Sequence, residues 1–226
     1  MEDIRTRMLE AAEALLDASP DGDISTRAVC DAVGVGAPTL YRQFGDKNGL
    51  LSAVVDYGFD RYLSVKRAAT PSADPVADLR SGWDSHVAFA LAHRAVYRMM
   101  YSPALAGVPK AAEEALRLLR EVLDRCAEAG RLRIAPDLAA QMIMSATIGV
   151  ALSLVTQPDT YTDEALPIRV RNAIFAAVLT DTPTTPANTL AGAALTLSAQ
   201  LRSTPTEALT GNEKALLHDW LTRLTT

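Results

Sequence analysis

The chain is poor in the residues that build sheets, staples and metal sites. Aromatic residues make up 5% of its 226 positions, against an apolar share of 49% dominated by alanine and leucine. That balance favours helix over sheet and still provides a sizeable core. There are two cysteines, Cys30 and Cys126, each among apolar neighbours, so no disulfide framework is possible beyond one bridge. Their setting predicts buried free thiols in a reducing cytoplasm, and no CxxC spacing points to redox chemistry. Three histidines leave little room for a metal centre. His86 and His93 are seven apart, a rise of about 10 Å on one helix, too far for a shared ion. HExxH, GxSxG, P-loop and GxGxxG contexts are missing, and Ser85-His86 adjacency is not a triad because helix neighbours point apart. The expectation is a protein that is not an enzyme, with no catalytic residue, no metal and no cofactor.

Long apolar runs and positive charge are also scarce. Leu138 to Val155 is interrupted by Gln141, Ser145, Thr147, Gly149 and Ser153, so it reads as a buried or interface helix with no membrane role. Met1 to Asp17 is amphipathic and charged throughout, unlike a secretion signal, and the expected location is cytoplasmic. The net charge is −5. Residues 1–50 hold five basic side chains (Arg5, Arg7, Arg27, Arg42, Lys47) against nine acidic ones. Such a balance excludes a general polyanion binder but leaves DNA binding through a few placed residues.

What is present is a short, well-punctuated segment, Ser25 to Leu51, STRAVCDAVGVGAPTLYRQFGDKNGLL. Ser25-Thr26 can cap a first helix whose buried stripe is Ala28, Val29, Ala32 and Val33. Gly34 supplies a tight connection, and Pro38 fits the first turn of a second helix carrying Thr39 to Gln43. Two short helices around a Gly-containing turn form a helix-turn-helix, whose second helix enters a major groove. Asp46 can cap a further helix running from about Lys47 to Ala68.

These residues resemble the TetR/AcrR-type bacterial transcriptional regulators. The resemblance lies in the small residues of the first helix, the Gly-Val turn, Thr39-Leu40-Tyr41, Phe44, Lys47 and Leu50-Leu51, at matching spacing. It implies an all-α fold: a three-helix DNA-binding head at 1–50, then a larger helical ligand-binding and dimerisation domain at 51–226. It places Gly36, Ala37, Thr39 and Arg42 near bases or backbone, Tyr41 and Lys47 on phosphates, and Thr26 and Arg27 facing the backbone. Arg42 is the side chain best suited to a guanine edge, with Thr39 and Gln43 beside it. Leu40, Phe44 and Val33 read as core.

Beyond the head, periodicity predicts helices at Val76–Ala92, Ala95–Tyr101, Pro109–Ala129, about 136–157, Glu164–Leu179 and Leu190–Arg202, with no strand. Thr180–Thr189 reads as a linker opening a C-terminal helical extension of about 189–226. Thr210-Gly211-Asn212-Glu213 reads as a capping box before a last helix. The resemblance implies a homodimer through the helices near 138–157 and 164–179, an unknown small-molecule effector and a double-stranded DNA operator. Candidate effector-lining residues are Trp83, His86, Phe89, Met99, Met100, Tyr101, Met142, Met144 and Thr147, each of which serves equally well as core. The expected function is a ligand-responsive repressor. The alternative is a helical dimeric interaction protein that keeps the head without operator binding.

Overall fold

A computed structural model describes residues 3–19, 23–68, 70–101, 110–180, 190–203 and 208–224. The fold is all-α, with eleven helices among the described residues: α1 Ile4–Ala18, α2 Thr26–Val33, α3 Ala37–Phe44, α4 Lys47–Ala68, α5 Pro75–Ala92, α6 Arg94–Met100, α7 Lys110–Glu128, α8 Pro136–Thr156, α9 Leu166–Val178, α10 Leu190–Ser203 and α11 Gly211–Arg223. The capping signals act where the sequence puts them. Thr210 accepts from the Glu213 N–H while Glu213 accepts from the Thr210 N–H, the reciprocal box that starts α11. Of the expected linker Thr180–Thr189, residues 181–189 lie outside the described residues.

Outside the helices the described residues hold one isolated bridge and no named strand. Leu132 and Leu179 form an antiparallel bridge, closed by Arg133 N–H to Val178 O (2.9 Å) and Thr180 N–H to Arg131 O (3.0 Å). The Arg131 and Arg133 guanidiniums add bonds to the carbonyls of Thr180 and Leu179. A single bridge is too short to show the alternating pattern by which strands are recognised.

The chain packs as two compact units: residues 1–69, 86–115 and 151–162 in one, and 70–85, 116–150 and 163–226 in the other. In the first unit one hydrophobic cluster joins Met8, Ala12 and Leu16 of α1, Val29 of α2 and Leu40 of α3 to Leu50, Val54 and Phe59 of α4. The same cluster continues through Val96 and Tyr97 of α6 to Ala151 and Val155. Each fully buried leucine or valine there contributes roughly 1.5–3 kcal/mol.

Polar groups fix how these helices meet. α1 carries Glu10, Glu13 and Asp17 at a spacing that repeats on one helix face. Glu10 accepts from the Tyr57 hydroxyl (3.0 Å). Glu13, only 7% exposed, accepts from the Arg61 guanidinium at 3.0 Å and meets His93 Nδ1 at 2.5 Å. Asp17 accepts the Ala95 backbone N–H (2.9 Å), one of the orphan donors in the first turn of α6. Three of the nine acidic side chains of residues 1–50 therefore hold α1 against α4 and α6.

A second buried chain of hydrogen bonds runs through the same unit. The His86 ring meets the Tyr62 hydroxyl at Nδ1 and the Tyr97 hydroxyl at Nε2, both at 2.7 Å. A neutral imidazole has one donor and one acceptor nitrogen, so one tyrosine donates to the ring and the other accepts from it. Burial, and then the nearby Lys66 charge, push His86 down to about 3. Burial lowers the Lys66 ammonium, which lies 4.9 Å from the Tyr62 ring centre, to about 8.

Two predictions follow from these buried polar groups. Glu13→Ala strands His93 and Arg61 and lowers stability by about 2–3 kcal/mol, allowing for the partial exposure of Arg61. Glu10→Ala, at a more exposed contact, costs about 1 kcal/mol or less; urea denaturation of both variants gives the comparison, and equal small losses would contradict the buried role of Glu13. As pH falls below the ordinary histidine value of 6.5, the unfolded chain takes a proton at residue 86 that the folded chain refuses. Stability then drops by about 1.4 kcal/mol per pH unit toward the folded-state value. His86→Gln cannot take that proton, so its stability should fall less steeply than wild type between about pH 6 and pH 4.

Candidate nucleic-acid interface

The helix-turn-helix is set by local chemistry at each joint. Ser25 Oγ accepts from the Ala28 N–H (3.1 Å) and starts α2. Gly34 ends it at φ +75°, where any side chain would be strained. The N–H groups of Gly34 and Val35 both return to Cys30 O, at 2.9 and 3.0 Å. Pro38 occupies the first turn of α3, and Leu40, fully buried, anchors its inner side. Asp46 accepts from the Gly49 N–H (2.7 Å) at the start of α4. A Cβ on Gly49 would lie 1.9 Å from the Phe44 carbonyl oxygen. Only glycine lets the first turn of α4 sit this close to the last turn of α3.

Two arginines of α1 complete the joints. Arg7 donates to Val33 O at the end of α2 (3.1 Å). Arg5 donates to Gln43 O near the end of α3 (2.9 Å) and lies over the Phe44 ring. Such carbonyls have no partner within their own helix, and cations there also suit the helix dipole.

These contacts leave a defined outer face. Gly36, Ala37, Tyr41 and Arg42 are exposed, while Thr39 and Gln43 are half-buried on α3. Thr26 and Arg27 open α2, the first half-buried and the second exposed. Arg27 lies 3.8 Å from Asp31, one turn along the same helix. Lys47 lies 2.5 Å from Asp23, and this bond holds the Asp23 carboxyl below its usual range. Among the described residues, Arg42 has no ion-pair partner. In the sequence Arg5 and Arg7 register only as charge, and neither Asp23 as the partner of Lys47 nor Gly49 as the close contact stands out. Glycine next to a helix start is the only one of these that leaves a local signal.

The expected effector-lining residues divide between the two units. His86, Phe89, Met99, Met100 and Tyr101 belong to the first, and Trp83, Met142, Met144 and Thr147 to the second. Phe89 packs on Tyr62 and His93, and Met99, Met100 and Tyr101 pack on or within the hydrophobic cluster. Both nitrogens of His86 are occupied by Tyr62 and Tyr97, two residues that sequence reasoning did not connect with it. Thr147 donates to Ile143 O of its own helix (2.7 Å). Trp83 packs edge-on to Phe175, and its buried Nε1–H has no hydrogen-bond partner among the described residues. Among those residues no group of three or more His, Cys, Asp or Glu side chains gathers that could hold a metal.

Comparison with known proteins places this geometry. Residues 8–54 match the model of bacterial regulatory proteins of the tetR family, and residues 79–203 match that of the tetracyclin repressor-like C-terminal domain. The chain is 27% identical over 125 residues to the nucleoid occlusion factor SlmA of Marinomonas sp. (strain MWYL1), covering 54% of this chain and 61% of that protein. Its fold resembles a protein of unknown function from Rhodococcus sp. RHA1, with a TM-score of 0.65 and 22% identity, covering 80% of this chain and 97% of the other. It also resembles a TetR-family transcriptional regulator from Pectobacterium atrosepticum, with a TM-score of 0.64 and 19% identity, covering 78% and 94%. A third similar structure is the fatty acid degradation regulator FadR from Bacillus halodurans, with a TM-score of 0.62 and 20% identity, covering 77% and 96%. With its helix-turn-helix and most of its remaining length matched, this chain belongs to the tetR family of bacterial regulatory proteins.

Proposed function

We propose that this protein is a ligand-responsive transcriptional repressor of the cytoplasm that binds a near-palindromic operator as a homodimer and releases it when a small-molecule effector binds. The observation that carries this reading is the outer face of α3, where Arg42 is exposed and has no ion-pair partner among the described residues. Arg42 bonds the acceptors of a guanine edge, with Thr39 beside it and Ala37 against a thymine methyl. Tyr41, Lys47, Thr26, Arg27 and the Gly36 backbone hold phosphates and set the register. The functional head is residues 1–50 and the regulatory part 51–226, with an extension from about 189; matches at 8–54 and 79–203 support that order.

One head reads few bases, so two must act together at half-sites about 34–36 Å apart or a multiple of this. The dimer surface we propose is made by α8 and α9. α8 is the helix among the described residues long and apolar enough to cross a membrane by length and composition. Its side chains argue for protein contact instead. Ala139, Ala140, Ile143 and Thr147 are buried on one side, while Leu138, Gln141, Ser145 and Gly149 form an exposed stripe on the other. α9 exposes Ile168, Ala173 and Ala176. Small residues in these rows let a second helix approach closely.

For the effector site we favour Trp83, Met142 and Thr147 of the second unit; His86, Phe89, Met99, Met100 and Tyr101 belong to the first unit and are candidates there by themselves. The Trp83 N–H is the donor that supports it best, because a buried N–H without a partner costs about 1–3 kcal/mol that a ligand oxygen removes. Effector binding favours one arrangement of the regulatory part over another, and a coupling of about 1–3 kcal/mol changes operator affinity roughly 5- to 150-fold.

Gel shift against the gene's own upstream DNA tests the reading: one short near-palindrome should be preferred over bulk DNA, with affinity falling steeply as salt rises. Arg42→Ala should relax base preference at one position per half-site at a cost of about 1–3 kcal/mol, whereas Lys47→Ala should weaken binding to every sequence alike. Uniform loss from both substitutions would refute this division of roles, and lack of any preferred sequence would refute the repressor.

A further inference from the structure

The last two helices among the described residues border an open recess that the functional reading above does not use. It has a volume of about 150 Å³ and is lined by Ser198, Leu201 and Arg202 of α10 and by Lys214, His218 and Leu221 of α11. The lining follows from helical spacing. Residues 198, 201 and 202 share one face of α10, and 214, 218 and 221 share one face of α11. Leu221 is buried and Leu201 half-buried, giving an apolar floor. Around it stand a guanidinium, an ammonium and an imidazole. The last three residues of the lining lie beyond the segment matched by the family's C-terminal domain, which ends at 203.

Few acids offset the guanidinium and the ammonium. Arg202 donates to Asp124 (2.9 Å) and to Ser198 Oγ (3.1 Å), which steadies the guanidinium at the rim. Glu213, next to Lys214 in sequence, is held by the Thr210 N–H and hydroxyl at 2.8 and 2.7 Å. Asp219 is held by Arg223 at 2.6 Å. Lys214 has no ion-pair partner among the described residues. The recess thus combines a surplus of positive charge with a small apolar floor.

We propose that this recess is a binding site for a small organic carboxylate, with the carboxylate between Lys214, His218 and Arg202 and its hydrocarbon part on Leu201 and Leu221. An open recess of about 150 Å³ with two leucines on its floor has room for a small hydrocarbon body only, so the ligand is an aromatic or short aliphatic acid and not a long-chain one. Charge-assisted bonds from more than one cation select the anion, and the floor selects the hydrocarbon. The site is independent of the operator reading and of the effector residues named there.

Calorimetric titration of the full chain with sodium benzoate, without DNA, tests it. Binding should be in the low-millimolar range or tighter, as suits a ligand of about nine heavy atoms. Benzamide, which has the same shape and no charge, should bind at least about tenfold more weakly. The double variant Lys214→Ala/His218→Ala should lose about tenfold or more in benzoate affinity, and both side chains are exposed, so the fold is retained. Unchanged affinity in the double variant would move the benzoate elsewhere and overturn the site. Inorganic phosphate binding as tightly as benzoate would reduce it to a basic patch and overturn the ligand class. No benzoate binding at all would overturn both, while leaving operator recognition untouched.

Discussion

One buried carboxylate ties three parts of the first unit together. Glu13 is nearly out of water, between Arg61 of α4 and His93 at the threshold of α6. A buried carboxylate without partners is too costly to keep, so wherever Glu13 sits, α4 and the α5–α6 junction must come to it. Asp17 repeats the demand one turn later by taking the Ala95 N–H. α1 is also the helix whose Arg5 and Arg7 close the ends of α3 and α2. A single helix therefore fixes both the reading motif and its seat, with acids toward the body and arginines toward the motif.

That arrangement resolves the charge puzzle of the N-terminal region. Its acids are not spread to repel DNA; several are committed to internal contacts. Its few cations are divided too, with two at helix ends and two beside carboxylates, while Arg42 is exposed on α3 without an acid partner. Specificity in such a head comes from placement. Bulk attraction would have required a basic surface that this chain does not have.

Much of the fold was legible because its signals are local. Caps at Ser25, Asp46 and Thr210, the prolines at helix starts and the 3.6-residue period of apolar positions each act within a few residues, and the helices appear where they point. What was not legible is long-range. Glu13 meets His93 across 80 residues, and His86 finds Tyr62 and Tyr97 only after three helices have packed. The proposed effector residues show the same limit: as letters they formed one set of apolar and aromatic side chains, and only packing divides them between two units. The eight residues proposed to face DNA lie within 22 positions of sequence, so local spacing alone groups them.

The bond between Asp23 and Lys47 bears on affinity. For a head that reads DNA, Asp23 occupies in advance the cation that a phosphate would take. On the phosphate role proposed for Lys47, each encounter begins with an exchange of one anion for another, a cost common to matched and unmatched DNA. One surface carboxylate then lowers affinity for every sequence together and leaves the preference to the base contacts proposed for α3.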